Sequence, residues 1–229
     1  MASPPTSPPH EPTATGAALI GDVIQSRKHP DQILLLETLE GLLERVNSVQ
    51  ALRQPLAMTT GDGFQGFSTT LEDALRVTTL LHLACPPELD LRLGLGWGEI
   101  VIRDAVQVPV GQSGQAWWRA RDAIELVASQ VAKQKWPRSL RTWFIGDTPP
   151  RTAATNAFLI CRDQILAQMD PSVRRIAWGL FQSERQITLA EDLAMTQPQI
   201  SKHQKENGPA ALFQAHAALE DGLRDEATR

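Results

Sequence analysis

Two dipeptides, Gly21-Asp22 and Gly61-Asp62, are the residues of this chain best placed to do chemistry. Each follows a short apolar run, AALI at 17–20 and LAMTT at 56–60. An acidic residue at the end of a buried strand stands on the rim of a sheet. Two of them on neighbouring strands can share a divalent ion. Magnesium takes one or two carboxylates and leaves its other positions to phosphate oxygens and water. Asp22 and Asp62 would supply that pair, and the carbonyl of Val23 a third oxygen. Ser26, Arg27 and Lys28 follow the first strand, where a hydroxyl and cations can meet phosphate. Gly61 and Gly63 would let a triphosphate lie against the backbone. The expected ligand is a nucleoside triphosphate with magnesium or manganese. Gly-Asp is also ordinary turn chemistry, and Gly146-Asp147, followed by Pro149-Pro150, is read that way.

The elements that must position these residues follow from hydrophobic spacing. Residues 17–24 predict a buried strand ending near the first Gly-Asp. Asp31 is placed to cap a helix whose apolar face carries Ile33, Leu36, Leu39, Leu43 and Val46. Residues 58–68 read as two strand ends meeting at a tight turn. A second amphipathic helix spans 71–84 and stops at Pro86-Pro87. Residues 91–102, LRLGLGWGEIVI, alternate as a strand does, and their glycines leave room for something to approach the backbone. A third helix covers about 115–133 and a last strand 141–145. In the third helix Arg119 and Arg121 can reach phosphates or pair with Asp122 and Glu125. Of Trp117 and Trp118, one is expected in the core and one at an interface. The resulting class is α+β, and the opening βαββαβ order matches the ferredoxin-like arrangement.

From about 151 onward the strand signals stop and the chain reads as an all-helical domain, 151–229. Residues 171–206 have the spacing of a helix-turn-helix: Thr188 caps a short helix with Glu191 three positions on, and Pro198 opens the next. Ile200 points into the small core, leaving Gln197, Gln199, Ser201, Lys202 and Lys205 to face DNA. Arg174, Arg175 and Arg185 would hold the phosphate backbone. The plainer alternative is a helical hairpin used for dimerisation, and this segment is hardly basic.

Composition sets the limits. A chain of 229 residues with 42% hydrophobic content can build a proper core. A net charge of -4 argues against a protein that coats nucleic acid or anionic lipid, but leaves room for a small DNA-binding module. Two cysteines, Cys85 and Cys161, suit a reducing cytoplasm and exclude a disulfide framework. No apolar run approaches the roughly 18 residues of a membrane span. Residues 1–16, rich in Pro, Ser and Thr, read as a disordered tail before an α+β domain at 17–150.

With these motifs in hand, AALIGDVIQSRK followed by TTGDGFQGF resembles the SatD family. The resemblance covers about 17–206 and implies a Gly-Asp-x-Phe-Gln-Gly hairpin ahead of a C-terminal helix-turn-helix. More distantly, the order resembles the catalytic domain of class III nucleotide cyclases. There, an acidic residue ending the first strand and a second in the hairpin bind metal, and Asp22 and Asp62 fall on those positions. The resemblance also implies a purine-reading Lys near Met58, and an Asn and an Arg four residues apart on the third helix. GQAWWRARDAIE has Arg119 and Arg121 but no Asn. Two functions follow as expectations. The first is a dimeric, cytoplasmic DNA-binding regulator whose cyclase-like domain binds a metal-nucleotide. The second is a nucleotidyl cyclase or related metal-dependent phosphoryl-transfer enzyme.

Overall fold

The structure is a computed structural model describing residues 13–102 and 112–227. Its centre is β1 (Thr13–Val23), where alternation decides the layers: Ala17 and Leu19 enter one core cluster, Ala18 and Ile20 another. A strand buried on both faces belongs in mid-sheet. β1 pairs antiparallel with β3 (Phe64–Ser68) on one side and β4 (Leu91–Ile102) on the other. β2 (Gln54–Met58) lies outside β3, so the order is β2-β3-β1-β4. Two further strands pair with β4: β5 (Gln112–Ser113) antiparallel and β6 (Thr142–Ile145) parallel. The short β5 was outside the sequence expectation.

The first face is covered by α1 (Gln32–Val49) and α2 (Leu71–Ala84). Asp31 caps α1 as expected, accepting from the Ile33 and Leu34 N–H groups. Thr70 caps α2, which ends before Pro86-Pro87. The opposite face carries α3 (Gln115–Ala132), whose Ala116, Trp117 and Ala120 pack on Ala18, Phe67 and Ile100. The group that approaches the β4 glycines is this helix. A methyl group at Gly94 would stand 2.1 Å from the Ala120 carbonyl oxygen, and one at Gly96 2.1 Å from that of Ala116.

The chain then turns helical: α4 (Pro149–Gln168), α5 (Pro171–Phe181), α6 (Gln186–Asp192), α7 (Gln197–Glu206) and α8 (Pro209–Ala227). α4 lies along β6. The Asn156 side chain brackets Phe144, accepting from its N–H at 2.9 Å and donating to its carbonyl at 2.8 Å. Asp163 accepts the N–H groups of Arg141 and Thr142 at 2.7 and 2.9 Å. Side chains of α4 therefore occupy polar groups that an edge strand would leave open.

Three expectations need correction. The strand begins at Thr13, because residues 13–16 pair in register with 98–101 of β4; residues 1–12 of the expected tail lie outside the described residues. The boundary expected near 150 is no gap in packing: Leu159, Leu166, Val173, Trp178 and Leu212 join the same core as Leu19, Leu75 and Leu93. Thr188 does not cap α6, which starts one turn earlier after Arg185. The capping box is formed instead by Thr196 and Gln199 at the start of α7. Gly146-Asp147 lies in the short bend between β6 and α4, with Asp147 paired to Arg151 at 3.2 Å. Both cysteines are free, and among the described residues no helix is long and apolar enough to cross a membrane.

Two outcomes follow. Gly96→Val should cost about 3 kcal/mol or more, since neither backbone can retreat; chemical denaturation of the variant beside wild type measures it. His82 and His216 are both buried, and burial, aided by the nearby Arg162 charge, pushes their imidazoles down, His216 to about 3. The unfolded chain protonates them near 6.5. Their contribution is therefore whole above neutral pH and is lost as pH falls below 6.5, by about 1.4 kcal/mol per unit for each histidine. Thermal unfolding at pH 7.5 and pH 5 should show this loss, and His216→Gln should reduce it.

Candidate functional site

Asp22 stands next to the last residue of β1 and directly opposite Arg92, the second residue of β4. Cross-strand partners share one face, so the two side chains meet: Arg92 Nη2 donates to Asp22 Oδ2 at 2.6 Å. Asp62 lies in the β2–β3 connection and reaches back to β1, where its Oδ2 accepts the Val23 N–H at 3.1 Å. The N–H and carbonyl of a strand residue point to the same side. The Val23 carbonyl thus faces the side from which Asp62 arrives. The three expected metal ligands, Asp22, Asp62 and Val23, are brought together on one rim.

The glycines beside them have different causes. Gly21 is needed because the Phe64 ring lies over it, 2.1 Å from where a methyl group would stand. Gly61 has φ +66°, a left-handed angle that glycine adopts freely. Gly63 has no such angle; it closes the turn through its carbonyl, which accepts the Thr59 N–H at 2.8 Å.

The electrostatics of the rim are unbalanced. Burial pushes the Asp22 carboxyl up, the Arg92 bond and charge oppose this, and the Asp62 charge adds a smaller upward push. The ion pair is end-on. It leaves Asp22 Oδ1 and Arg92 Nε buried without hydrogen-bond partners. Each orphaned group costs about 1–3 kcal/mol. An open acceptor and an open donor lie within one ion pair, a demand met by a cation and an anion arriving together. Among the described residues no group of three or more His, Cys, Asp and Glu could hold a metal. Two carboxylates and a carbonyl fit magnesium, which takes its remaining oxygens from phosphate and water, and do not fit a closed all-protein cage.

Ser26 and Arg27 lie in a short 3-10 turn, Ser26–Lys28, that follows β1. Its entry residue Gln25 has φ +59°, and the Ser26 carbonyl accepts from His29 N–H and the Gln32 side chain. Arg27 is exposed. Arg119 and Arg121 are not gathered here. Arg119 Nη1 donates at 2.6 Å to the carbonyl of Trp97, which pairs with Ala17, five residues up β1 from Asp22. At about 3.3 Å per residue that is roughly 16 Å away. Arg121 is exposed on α3, Trp117 is buried, and Trp118 is 66% exposed. Sequence reasoning missed Arg92. The available signal was the alternation of β4, which puts Arg92 on a polar step beside a strand already carrying Asp22.

On α7, Gln197, Lys202 and Lys205 are exposed and Ser201 is half-buried, while Ile200 is buried against Ile176, Leu189 and Ala190. Gln199 is committed elsewhere: its Oε1 accepts the Thr196 N–H at 2.7 Å. Lys202 faces Glu206 at 3.9 Å. Arg175 is held by Glu184 and Asp192 at 2.7 and 2.6 Å. Arg174 donates to the carbonyls of His82 and Leu166, and Arg185 is exposed.

Among solved structures, the chain is similar to a bacterial light-regulated adenylyl cyclase (14% identity, TM-score 0.44, 58% of this chain and 44% of that one). It is also similar to the guanylyl cyclase Cya2 (14% identity, TM-score 0.42, 51% and 72%). A third is the catalytic core of a rhodopsin-guanylyl cyclase with converted specificity, in complex with ATPalphaS (14% identity, TM-score 0.41, 51% and 75%). The chain spans less than half the length of the light-regulated cyclase. No curated protein matches it. The model of the SatD family matches residues 17–208, from the central strand to the residue before α8. That stretch holds both Gly-Asp pairs, the hairpin and the helices up to α7, and the chain belongs to the SatD family.

Proposed function

We propose that the rim formed by Asp22, Asp62 and Val23 binds a nucleoside triphosphate through a divalent metal and serves phosphoryl transfer, with nucleotide cyclisation as the reaction class. The observation that carries this reading is the half-used ion pair: Asp22 Oδ1 and Arg92 Nε are buried together and unpartnered. Asp22, Asp62 and the Val23 carbonyl would hold magnesium or manganese. Such an ion, when bound, neutralises phosphate charge and lowers the pKa of an attacking hydroxyl. Arg92 Nε would donate to a phosphate oxygen, and Ser26 and Arg27 stand just beyond the strand end to meet the outer phosphates. The strand order β2-β3-β1-β4, with α1 and α2 on one face, supports a ferredoxin-like, cyclase-like reading of the sheet.

Base recognition has less to work with. Met58 on β2 is half-buried against the apolar core and offers a base no strong donor. Arg119, the other expected cation, is spent on a backbone carbonyl. The site therefore reads charge and metal more than the base, and turnover should be slow. A DNA-contacting role for α7 has less support. Gln199 is used in its own capping box and Arg175 is neutralised by two carboxylates. Of the expected contacts, Gln197, Ser201, Lys202 and Lys205 on α7 and the exposed Arg185 remain to face a duplex.

Calorimetry with manganese should show ATP and GTP binding within about fivefold of each other. Asp22→Asn and Asp62→Asn should each weaken both by at least about tenfold, about 1.4 kcal/mol. Absence of metal-dependent binding in the wild type would sink the proposal, and chromatography of products after incubation with each nucleotide separates binding from cyclisation. The pH dependence has a defined sign. Metal binding requires ionised Asp22, whose pKa is raised, so affinity falls as pH drops and begins to fall at a higher pH than for an ordinary aspartate. Arg92→Gln removes an opposing influence, so the midpoint of that loss should move to higher pH; a midpoint that stays put or moves down contradicts the assignment.

A further inference from the structure

A cavity of about 490 Å³ lies away from the carboxylate rim, between α1, the end of α2 and the start of α5. Three arginines line it, Arg45, Arg174 and Arg175, and no carboxylate does. In a chain of net charge -4 such a lining is unusual. Arg175 is neutralised by Glu184 and Asp192. The other two are not. Among the described residues Arg45 makes no ion pair, and its guanidinium lies 4.7 Å above the Trp178 ring. Among the described residues Arg174 meets carbonyl oxygens alone, of His82 at 3.4 Å and Leu166 at 3.3 Å, both long for charge-assisted bonds. Among the described residues neither guanidinium has an ion-pair partner, and both arginines line one half-enclosed space; Arg174 also lines the adjoining cavity, beside Asp90 and Asp163. The walls beside them are apolar, from Leu83, Met169 and Trp178.

We propose that this cavity is a second anion site, taking a phosphomonoester with an apolar or ring-bearing body. Charge selects the class: a phosphomonoester carries about -1.5 to -2 at neutral pH, against +2 from Arg45 and Arg174, whereas a carboxylate offers only -1. Guanidinium groups match phosphate oxygens in pairs. The apolar walls receive the body, and the volume falls within the range of small-molecule sites, roughly 300–1,000 Å³. The site needs no metal and shares no residue with Asp22, Asp62 or Arg92.

The test uses the full chain, phenyl phosphate as probe and excess EDTA. At about ten times the dissociation constant, the probe should raise the melting temperature by about 3 °C. Asp62→Asn should keep the shift, which separates this site from the metal rim. Arg45→Gln and Arg174→Gln should each lose most of it. Arg45 is exposed, so R45Q should fold like wild type and carries the test even where R174Q does not fold. Benzoate at the same concentration should give little or no shift. The proposal is overturned by no shift with phenyl phosphate, by a full shift in R45Q, or by an equal shift with benzoate.

Discussion

One buried ion pair holds the layers of this protein together. Arg162 and Asp163, neighbours on α4, have side chains 0% and 1% exposed. All five guanidinium N–H groups are engaged, by Asp163 Oδ1 twice and by the hydroxyls of Thr78, Thr79 and Thr142. The other carboxylate oxygen takes the N–H groups of Arg141, just before β6, and of Thr142, its first residue. His82 meets the Thr142 hydroxyl and His216 the Thr79 hydroxyl, so the network spans α2, β6, α4 and α8. A buried pair is costly unless every lone pair and proton is used. Here they are, and removing one partner would strand the rest. The helices after 150 therefore share one core with the sheet.

That anchoring fixes β6 beside β4, and β4 is the strand on which the site depends. Its alternate residues serve different layers. Leu91, Leu93 and Leu95 enter the core with α1 and α2, while Gly94 and Gly96 yield their face to α3. Clamped between β1, β6 and α3, β4 has little freedom to slide. A shift of one residue would turn every side chain over. The meeting of Arg92 with Asp22 is thus a consequence of packing several residues away.

The two ionic arrangements of the molecule contrast. Every donor of Arg162 is satisfied, whereas at Arg92 the same chemistry stops halfway. The first has no opening for a ligand and acts as a brace. The second is only partly buried, with side chains 24% and 31% exposed, and keeps one donor and one acceptor unused. Incomplete pairing at a rim is what the proposed metal-nucleotide site would use, because an arriving ligand would complete it.

Much of the frame was legible in the residues. The bounds of α2 and β4 followed from their apolar periods and from Pro86-Pro87, and the Asp31 cap from its position before an apolar stripe. The placing of Asp22 and Asp62 near strand ends was legible because a Gly-Asp after an apolar run leaves a local mark. The capping box was misplaced because Thr188 and Thr196 both satisfy a local rule, and the packing of Ile200, Leu189 and Ile176 chose between them. The sequence by itself determined the elements and the acidic rim, because helix and strand periods are local. Tertiary structure alone decided that Arg92 faces Asp22 across 70 positions, that Arg119 is spent on Trp97, and that Arg162 is buried. Those outcomes depend on strand register and layer stacking, which no short stretch of chain encodes.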